Sequence, residues 1–302
     1  MSRRRRGEAI DGVVLLDKPA GLSSNQALQR VRRAFNARKA GHTGTLDPFA
    51  TGMLPLCLGE ATKTSAFILD AGKAYRATAR LGIATSTGDP EGEVLLEQDV
   101  PPVDEARLRD VLDSFVGLGE QVPPMYSAIK HQGRPLYEYA RRGIEIERQP
   151  RPVEIHAIEL LSIDGPDIRF EVTCGKGTYI RTLAEDIARA FGTVAHLVAL
   201  RRQWVHPFGS QSMVTLEQVE QASENGELDS LRLPADAGLA DWPVVTLGAE
   251  ALQRLAHGNP VDSNGSEKGL VRLHDSEGTA RGIGECLDGQ IRPRRVFVRD
   301  DP

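Results

Sequence analysis

The chain has 302 residues, and at about 100–200 residues per domain this length predicts two domains with a substantial core. Its three cysteines are widely spaced, odd in number and free of any C-x-x-C pair, which argues against a zinc site and against a disulfide framework. A formal net charge of −5 excludes a uniformly basic nucleic-acid binder, and no apolar run approaches the roughly 20 residues that cross a bilayer.

The first part of the chain alternates apolar runs with amphipathic segments after a basic N-terminus at residues 1–9. Its predicted elements are a strand at residues 13–16, a helix at residues 23–35 capped by Ser23 or Ser24, an apolar segment at residues 53–58, a helix beginning near Glu60 and a strand at residues 73–81. Tyr75 lies on the apolar side of the last strand. No apolar core follows the arginines at residues 3–6, so we expect neither a signal peptide nor a membrane anchor, and we expect a cytoplasmic protein.

The second part of the chain begins with a turn-rich stretch at residues 85–92. The elements predicted after it are a helix at residues 104–115, strands at residues 153–163 and 168–174, a helix at residues 179–191 and a strand at residues 194–205. Because strands and helices do not alternate strictly, the pattern indicates an α+β fold. Residues 125–151 are basic and poor in large apolar side chains, which is typical of an insertion outside the core. From about residue 234, short apolar runs predict a small β-rich domain.

The loop at residues 41–52, GHTGTLDPFATG, presents one carboxylate, Asp47, among side chains that are almost all uncharged. Its glycines permit backbone conformations that a Cβ would forbid, and Pro48 holds Asp47 out of the helical region. Taken on its residues alone, such a turn is more often structural, with the aspartate bonded to its own backbone. The loop is therefore either an ordinary turn or the carrier of a reactive carboxylate.

Basic residues concentrate in two clusters, whereas residues 86–120 are mostly acidic. The clusters comprise Arg30, Arg32, Arg33, Arg38 and Lys39 in one, and Lys130, Arg134, Arg141, Arg142, Arg148 and Arg151 in the other. Each is either a solvated helix face or part of a surface that binds nucleic acid, since the distribution of charge matters more than its sum.

The stretch GHTGTLDPFATGMLPLCLGEATK resembles the catalytic motif of the bacterial tRNA pseudouridine-55 synthases, the TruB family. The resemblance spans residues 10–205 and continues, in family order, through GVVLLDKPAGLSSNQALQRVRRAF, KAYRATARLG, VPPMYSAIKHQGRPLYEYARRG, CGKGTYIRTLAEDIA and HLVALRR. It implies a catalytic domain at residues 10–233, with a mixed, largely antiparallel sheet, flanking helices and an RNA-clamping insertion at about 125–151. GIGECLDGQIRPRRVF resembles the end of a PUA-like RNA-binding domain, here residues 234–302.

The resemblance implies that the protein isomerises a uridine in the T loop of tRNA, position 55, to pseudouridine. This reaction breaks the glycosidic bond, rotates the uracil and rejoins it through carbon, so we expect no cofactor and no metal. The family's aspartate attacks the anomeric carbon, attacks the uracil ring or abstracts a sugar proton, and the sequence leaves these three routes open. The expected partner is the T stem-loop of tRNA, with no membrane, no obligate protein partner and a monomeric state.

The resemblance also assigns the catalytic and pocket residues. It makes Asp47 the catalytic aspartate, Tyr75 the aromatic residue against the uracil, Tyr179 a shaper of the nucleotide pocket and Leu200 its apolar wall. Arg181 has an independent indication, because it lies in the first turn of a predicted helix, where a cation gains nothing from the helix dipole. The family pattern pairs Arg181 with Asp47.

The remaining predicted contacts are with the RNA or with the loop. His42 has no other metal-type ligands at useful spacing, and the resemblance implies that it stacks in the T loop and helps to extrude the base. Lys18 belongs to the family's DKP-x-G motif, where it supports the catalytic loop. The predicted RNA contacts of the insertion are Tyr126, Lys130, Arg141 and Arg142.

Two alternatives from other classes stay open at this point. The first is an RNA-binding or tRNA-folding protein without catalysis, which the full set of matching site residues disfavours; a folding role that accompanies catalysis also stays open. The second is a metal-dependent nuclease or a glycosidase built on Asp47, which needs further carboxylates nearby. Asp70, Asp89 and Glu91 are candidates, but no motif places them beside Asp47.

Overall fold

The computed structural model describes residues 7–209, 211–263, 265 and 267–297, so the arginines at residues 3–6 lie outside the described residues. The α-helices are α1 (Ser24–Ala34), α2 (Ser65–Leu69), α3 (Glu105–Asp113), α4 (Leu136–Ala140), α5 (Ile180–Phe191), α6 (Leu216–Asn225) and α7 (Ala249–Ala256). The strands are β1 (Gly12–Lys18), β2 (Ala40–His42), β3 (Thr51–Leu58), β4 (Lys73–Leu81), β5 (Ile83–Thr85), β6 (Val94–Glu97), β7 (Gly117–Gln121), β8 (Lys130–His131), β9 (Arg134–Pro135), β10 (Arg151–Asp164), β11 (Asp167–Cys174), β12 (Ala195–Val205), β13 (Val244–Thr246), β14 (Val261–Asp262), β15 (Gly269–His274), β16 (Ala280–Leu287) and β17 (Gln290–Val296).

The larger sheet has eight strands in the order β1-β3-β12-β4-β11-β10-β7, with β2 paired to β3. Its neighbouring strands are antiparallel except β3 and β12, which are parallel. This confirms the predicted α+β class with a mixed, largely antiparallel sheet. The sheet brings the Asp47 loop, which joins β2 to β3, beside β12 and β4.

Both faces of the sheet are buried at β1. Val14 and Leu16 point into the main core, which α1, α3, α5 and α6 cover. Val13 and Leu15 point into a smaller core on the opposite face. Burial on both faces explains why this strand appears in the sequence as a continuous apolar run rather than an alternating one.

Two helices that frame the site each have one end with a clear cap, the start of α1 and the end of α5. The Ser23 side chain accepts from the Gln26 N–H while the Gln26 side chain accepts from the Ser23 N–H, so α1 begins at a capping box. Helix α5 begins after Tyr179 and ends at Gly192, whose φ of 102° is left-handed and favours glycine. These caps fix the ends of the helices that reach the Asp47 loop.

Some predicted elements differ from the structure. The helix expected near Glu60 is a 3₁₀ turn, Gly59–Lys63, followed by the short α2. Strand β7 was not predicted, because its sequence, GLGEQ, has low strand propensity and is ordered only by pairing with β10. Helix α6 was also not predicted, although Thr215 and Gln218 form a capping box at its start.

A second sheet of five strands, in the order β13-β15-β16-β17-β14, lies near the C-terminus and confirms the predicted β-rich character. Its own core includes Val271, Leu273 and Ile291. Helix α7 packs against this core through Leu255 and was not predicted. The Lys63 ammonium donates to the Val296 carbonyl at 2.6 Å, which ties this sheet to the first one.

Residues 125–151 leave the larger sheet between β7 and β10, which are hydrogen-bonded neighbours. The segment contains the β8–β9 hairpin and α4, and Leu136 is its buried large apolar side chain. Both ends of the segment therefore lie at one edge of the sheet. Within the described part of the chain, no helix is both long and apolar enough to span a membrane.

Candidate active site

The Asp47 loop is held from beneath by β1 and α1. The fully buried Lys18 ammonium donates to the Pro48 carbonyl at 3.2 Å and to two carbonyls of the β1–α1 turn. Burial lowers the pKa of Lys18 to about 8. The Ser24 hydroxyl donates to the Leu46 carbonyl at 3.0 Å and accepts from the Leu46 N–H at 2.8 Å. These bonds fix the backbone on both sides of Asp47, and Lys18 acts on the loop rather than on the pocket.

Asp47 forms an ion pair with Arg181 at the start of α5. The Arg181 Nε lies 2.9 Å from Asp47 Oδ2, and its Nη2 donates to Oδ1 at 3.4 Å. The Arg181 guanidinium also donates to the carbonyls of Thr87 at 2.6 Å and Tyr126 at 2.7 Å. The Arg181 side chain is 4% exposed whereas that of Asp47 is 31% exposed, so the carboxylate reaches solvent and its partner does not.

The ionisation of Asp47 depends on this partner. Burial raises the pKa of the Asp47 carboxyl above its ordinary value, the charge of Arg181 opposes that rise, and the charge of Asp89 adds to it. Arg181 therefore favours the carboxylate form and, through its two carbonyl contacts, fixes the direction in which the carboxylate points.

Asp89 is a second carboxylate beside Arg181. Its Oδ2 lies 3.7 Å from Arg181 Nη1, and its side chain is 5% exposed. The Thr87 hydroxyl and the Glu91 N–H both donate to the Asp89 carboxylate. No sequence motif places Asp89 here, because the long β5–β6 turn is what brings it back to α5. Asp70, the other candidate, instead pairs with Lys176 at 3.0 Å on the surface.

A pocket of about 280 Å³ opens beside Asp47. Six of the residues predicted for the site line it, namely Asp47, Tyr75, Tyr126, Tyr179, Arg181 and Leu200. They come from the Asp47 loop, β4, the insertion, the start of α5 and β12, so the fold brings distant segments of the sequence together. Tyr75 and Leu200 are nearly buried and give the pocket flat, apolar walls.

Two buried cations line the same pocket and were not predicted. Arg202 follows Leu200 on β12 and is 1% exposed, and Lys73 lies two residues before Tyr75 on β4. The Lys73 ammonium donates to the carbonyls of Leu69 and Ala71, and burial lowers its pKa to about 8. Both residues lie in sequence motifs of the family resemblance, and the feature that marks them in the sequence is a cation within an otherwise apolar strand.

Four of the predicted RNA contacts lie outside the pocket. Lys130, Arg141 and Arg142 are exposed on the insertion. His42 is half-buried on β2, and its Nδ1 has no hydrogen-bond partner among the described residues. Burial and then the charge of Arg202 lower the pKa of His42, so its ring is held neutral. These four residues do not touch the space beside Asp47.

Comparison with known proteins gives a consistent result over the whole chain. Residues 32–180 match the TruB family pseudouridylate synthase N-terminal domain, residues 181–240 the tRNA pseudouridylate synthase B C-terminal domain, and residues 243–297 the C-terminal domain of pseudouridine synthase II TruB. The tRNA pseudouridine synthase B of Methylobacillus flagellatus is 52% identical over 98% of both chains. The protein of that name from Nitrosococcus oceani is 51% identical over 98% of this chain and 97% of its own.

The chain belongs to the TruB family of pseudouridylate synthases. This confirms the resemblance identified in the sequence. A solved structure of a Cbf5-Nop10-Gar1 complex contains a chain that is 28% identical to this TruB-family protein, with a TM-score of 0.72 over 95% of this chain and 85% of that chain. The larger sheet, the Asp47 loop and the second sheet therefore form an arrangement known from solved proteins.

The geometry of the TruB-family site can support chemistry on one nucleoside. It offers a single solvent-reaching carboxylate, an arginine whose charge favours the ionised form of that carboxylate, and a pocket with aromatic and aliphatic walls. In the described ranges, no group of three or more His, Cys, Asp or Glu side chains is arranged to hold a metal ion. Asp89 is tied to Arg181 and buried, so it serves the ion pair and does not face the pocket as a second acid.

Proposed function

We propose that this protein isomerises the uridine at position 55, in the T loop of tRNA, to pseudouridine, with Asp47 as the acting carboxylate. One observation carries the proposal: the Asp47 carboxylate reaches the pocket while a buried arginine holds it. The curated relatives that match nearly the full chain bear the name tRNA pseudouridine synthase B, which supports tRNA as the substrate.

The target uridine must leave its stack before the reaction begins, because a paired or stacked base hides the C1′–N1 bond. Tyr75 offers an aromatic surface and Leu200 an aliphatic one to an extruded uracil, and Tyr179 borders the same space. We expect His42, on strand β2, to stack in the loop that the uridine leaves.

The reaction then breaks the C1′–N1 bond, turns the uracil and forms a C1′–C5 bond. The proton on C5 is lost and N1 gains one, so atoms and electrons balance without an oxidant, a reductant or an energy source. Asp47 is the acting group whether it attacks the sugar, attacks the ring or removes a sugar proton. Arg181 keeps it ionised for each of these roles.

Binding strength comes from surfaces outside the pocket in this proposal. The exposed Lys130, Arg141 and Arg142 of the insertion are suited to phosphates of the T arm. The second sheet adds further basic residues, and the protein works as a monomer without an obligate protein partner. Residues 10–233 then form the catalytic domain and residues 234–302 an RNA-binding one.

The test uses an unmodified tRNA transcript and the purified protein. Pseudouridine mapped at single-nucleotide resolution is expected at position 55 and nowhere else. Asp47→Asn is expected to abolish the reaction while tRNA affinity, from filter binding, changes by less than about threefold, because phosphate and stacking contacts lie elsewhere. Product at another position would refute the choice of the T loop, and normal turnover by Asp47→Asn would refute the role of Asp47.

A further inference from the structure

Arg202 is the largest fully buried side chain among the described residues. Its Nε donates to the Met53 carbonyl at 2.7 Å and its Nη2 donates to the Gly44 carbonyl at 3.2 Å. In the described ranges, no carboxylate lies within ion-pair distance of its guanidinium. Gly44 belongs to the Asp47 loop, so Arg202 ties that loop to strand β3.

A buried cation without an anionic partner is costly, since burial removes its water and no carboxylate compensates. The neighbouring Arg201 on the same strand has an ordinary environment: it is 38% exposed and binds Asp17 through two bonds of 2.9 and 2.8 Å. The two bonds to the Met53 and Gly44 carbonyls use only part of the five N–H groups of the Arg202 guanidinium. We therefore expect the positive charge of Arg202 to have a role in the pocket that it lines.

The group that faces this charge is Tyr75. Arg202 stands directly opposite Tyr75 in the β12–β4 register, and both residues line the pocket. Burial raises the pKa of the Tyr75 hydroxyl, the charge of Arg202 and a hydrogen bond from it oppose that rise, and the nearby Cys174 and Asp47 add to it. Lys73 lines the same pocket, and burial lowers its pKa to about 8.

We propose that Arg202 is a positioning residue that acts through Tyr75, making the Tyr75 oxygen the acceptor of the C5 proton. The inference rests on the proposed function. After the C1′–C5 bond has formed, C5 still carries its hydrogen. The Tyr75 phenol gives its proton to N1, and the phenolate formed in this way takes the proton from C5. The C5–H electron pair becomes the C5=C6 bond and the C6=N1 electron pair returns to N1, which restores the neutral phenol. The Arg202 guanidinium stabilises the phenolate during this transfer.

The experiment measures single-turnover rates on a T-arm stem-loop between pH 6.5 and 9.5. The variants are Arg202→Lys, Arg202→Gln, Tyr75→Phe and the double variant Arg202→Gln with Tyr75→Phe, with Arg201→Gln as the matched control. General acid–base groups contribute about 10²–10⁴-fold. We expect the single-turnover rate of Arg202→Gln to be about 100-fold below that of the parent at pH 7, and part of this loss should be recovered as pH rises. When Arg202→Gln is introduced into the Tyr75→Phe variant, the rate should fall by less than about threefold.

Arg202→Lys keeps the charge and is expected to retain a rate within about tenfold of the parent, which separates charge from shape. A readout without turnover is the pKa of Tyr75, taken from the ultraviolet titration difference between each protein and its Tyr75→Phe counterpart. It should rise in Arg202→Gln and stay unchanged in Arg201→Gln.

Equal losses from Arg202→Gln in the parent protein and in the Tyr75→Phe variant, or a loss that is constant with pH, would overturn the proposal and make Arg202 a structural residue. An unchanged pKa of Tyr75 in a folded Arg202→Gln protein would overturn it as well. A parent protein that forms no pseudouridine would instead refute the proposed function, and the titration of Tyr75 would still report on Arg202.

Discussion

Arg181→Met removes a buried cation from between two carboxylates, and its effects follow from the geometry. Breaking a buried ion pair by removing one partner costs about 3–5 kcal/mol. Asp47 is 31% exposed, so solvent screens part of its charge, and we expect the free energy of unfolding to fall by about 2–3 kcal/mol. The acting carboxylate also loses the group that orients it, and we expect single turnover to slow by about 30- to 150-fold at neutral pH, since about 1.36 kcal/mol is tenfold in rate.

The direction in which the pH–rate profile of Arg181→Met shifts tests whether Arg181 acts on the ionisation of Asp47. Burial raises the pKa of Asp47 and Arg181 opposes that rise, so its removal raises the pKa further. Activity that needs the carboxylate is lost as pH falls through this pKa, and the acid limb of the rate profile should move to higher pH in the variant. A carboxyl whose folded pKa is raised makes the native state bind more protons, so the stability deficit of the variant should grow as pH rises above the ordinary aspartate pKa of 3.8 and level off once pH exceeds the raised pKa.

The assay is single turnover at saturating enzyme from pH 5 to 9, with thermal unfolding measured over the same range. Arg189→Met is the matched control, since Arg189 lies on the same helix, is 73% exposed and pairs with the nearby Asp186. It should change neither the rate nor the acid limb. A loss in Arg181→Met that is the same at every pH would refute the claim that Arg181 acts by keeping Asp47 ionised.

Three further predictions concern the loop, the absence of a cofactor and the second sheet. Gly52→Ala should lower the free energy of unfolding by more than about 3 kcal/mol in chemical denaturation, because the φ of Gly52 is 101° and a Cβ would lie 2.2 Å from the Arg202 carbonyl oxygen. The control Gly21→Ala, where φ is 82° and nothing lies within 4 Å, should cost only about 1 kcal/mol. Equal costs for the two variants would contradict this reasoning. Turnover on an isolated T-arm stem-loop in monovalent salt should be unchanged by EDTA and by the absence of any added cofactor, and complete loss in EDTA would show that a metal is required. Arg292→Gln combined with Arg295→Gln should weaken tRNA binding and lower the salt slope of log K by about 0.9 for each lost duplex phosphate contact. The single-turnover rate of bound tRNA should not change. A slower single turnover with unchanged affinity would refute the proposal that the second sheet binds RNA without taking part in the reaction.

The sequence predicted those parts of the fold whose local pattern agrees with their tertiary role. The start of α1 at one of two candidate serine caps, the alternation of β4 and the apolar run of β1 are each readable within about ten residues, and each was located correctly. Strand β7 was not predicted, because two glycines in five residues give it a low strand propensity and its pairing with β10 is what orders it. Helix α7 was not predicted, because the apolar runs around it in the sequence are short and indicate strands.

The residues of the candidate site also divide into those that local sequence identifies and those that only the fold brings into place. Asp47 and Arg181 stand out locally, one as a lone carboxylate in a glycine loop and the other as a cation at the wrong end of a helix. Asp89 does not stand out, because it lies in a turn whose composition is ordinary and whose proximity to Arg181 is set by the packing of β5 and β6 beside α5. Local sequence predicts which residue is unusual, whereas the fold decides which residues meet.

The placement of Arg202 depends on strand register, which local reasoning cannot supply. Strand β12 has register shifts against β4 between Leu197 and Ala199 and again between Arg202 and Trp204, so the stretch that carries Leu200 and Arg202 lies between two irregularities. Bulges of this kind re-aim side chains, and a slip of one residue exchanges the two faces of a strand. Such a slip would put Arg201 beside Tyr75 and turn Arg202 towards Asp17. The chemistry of the pocket therefore rests on the same β12 register that joins this strand to β3 on one side and β4 on the other.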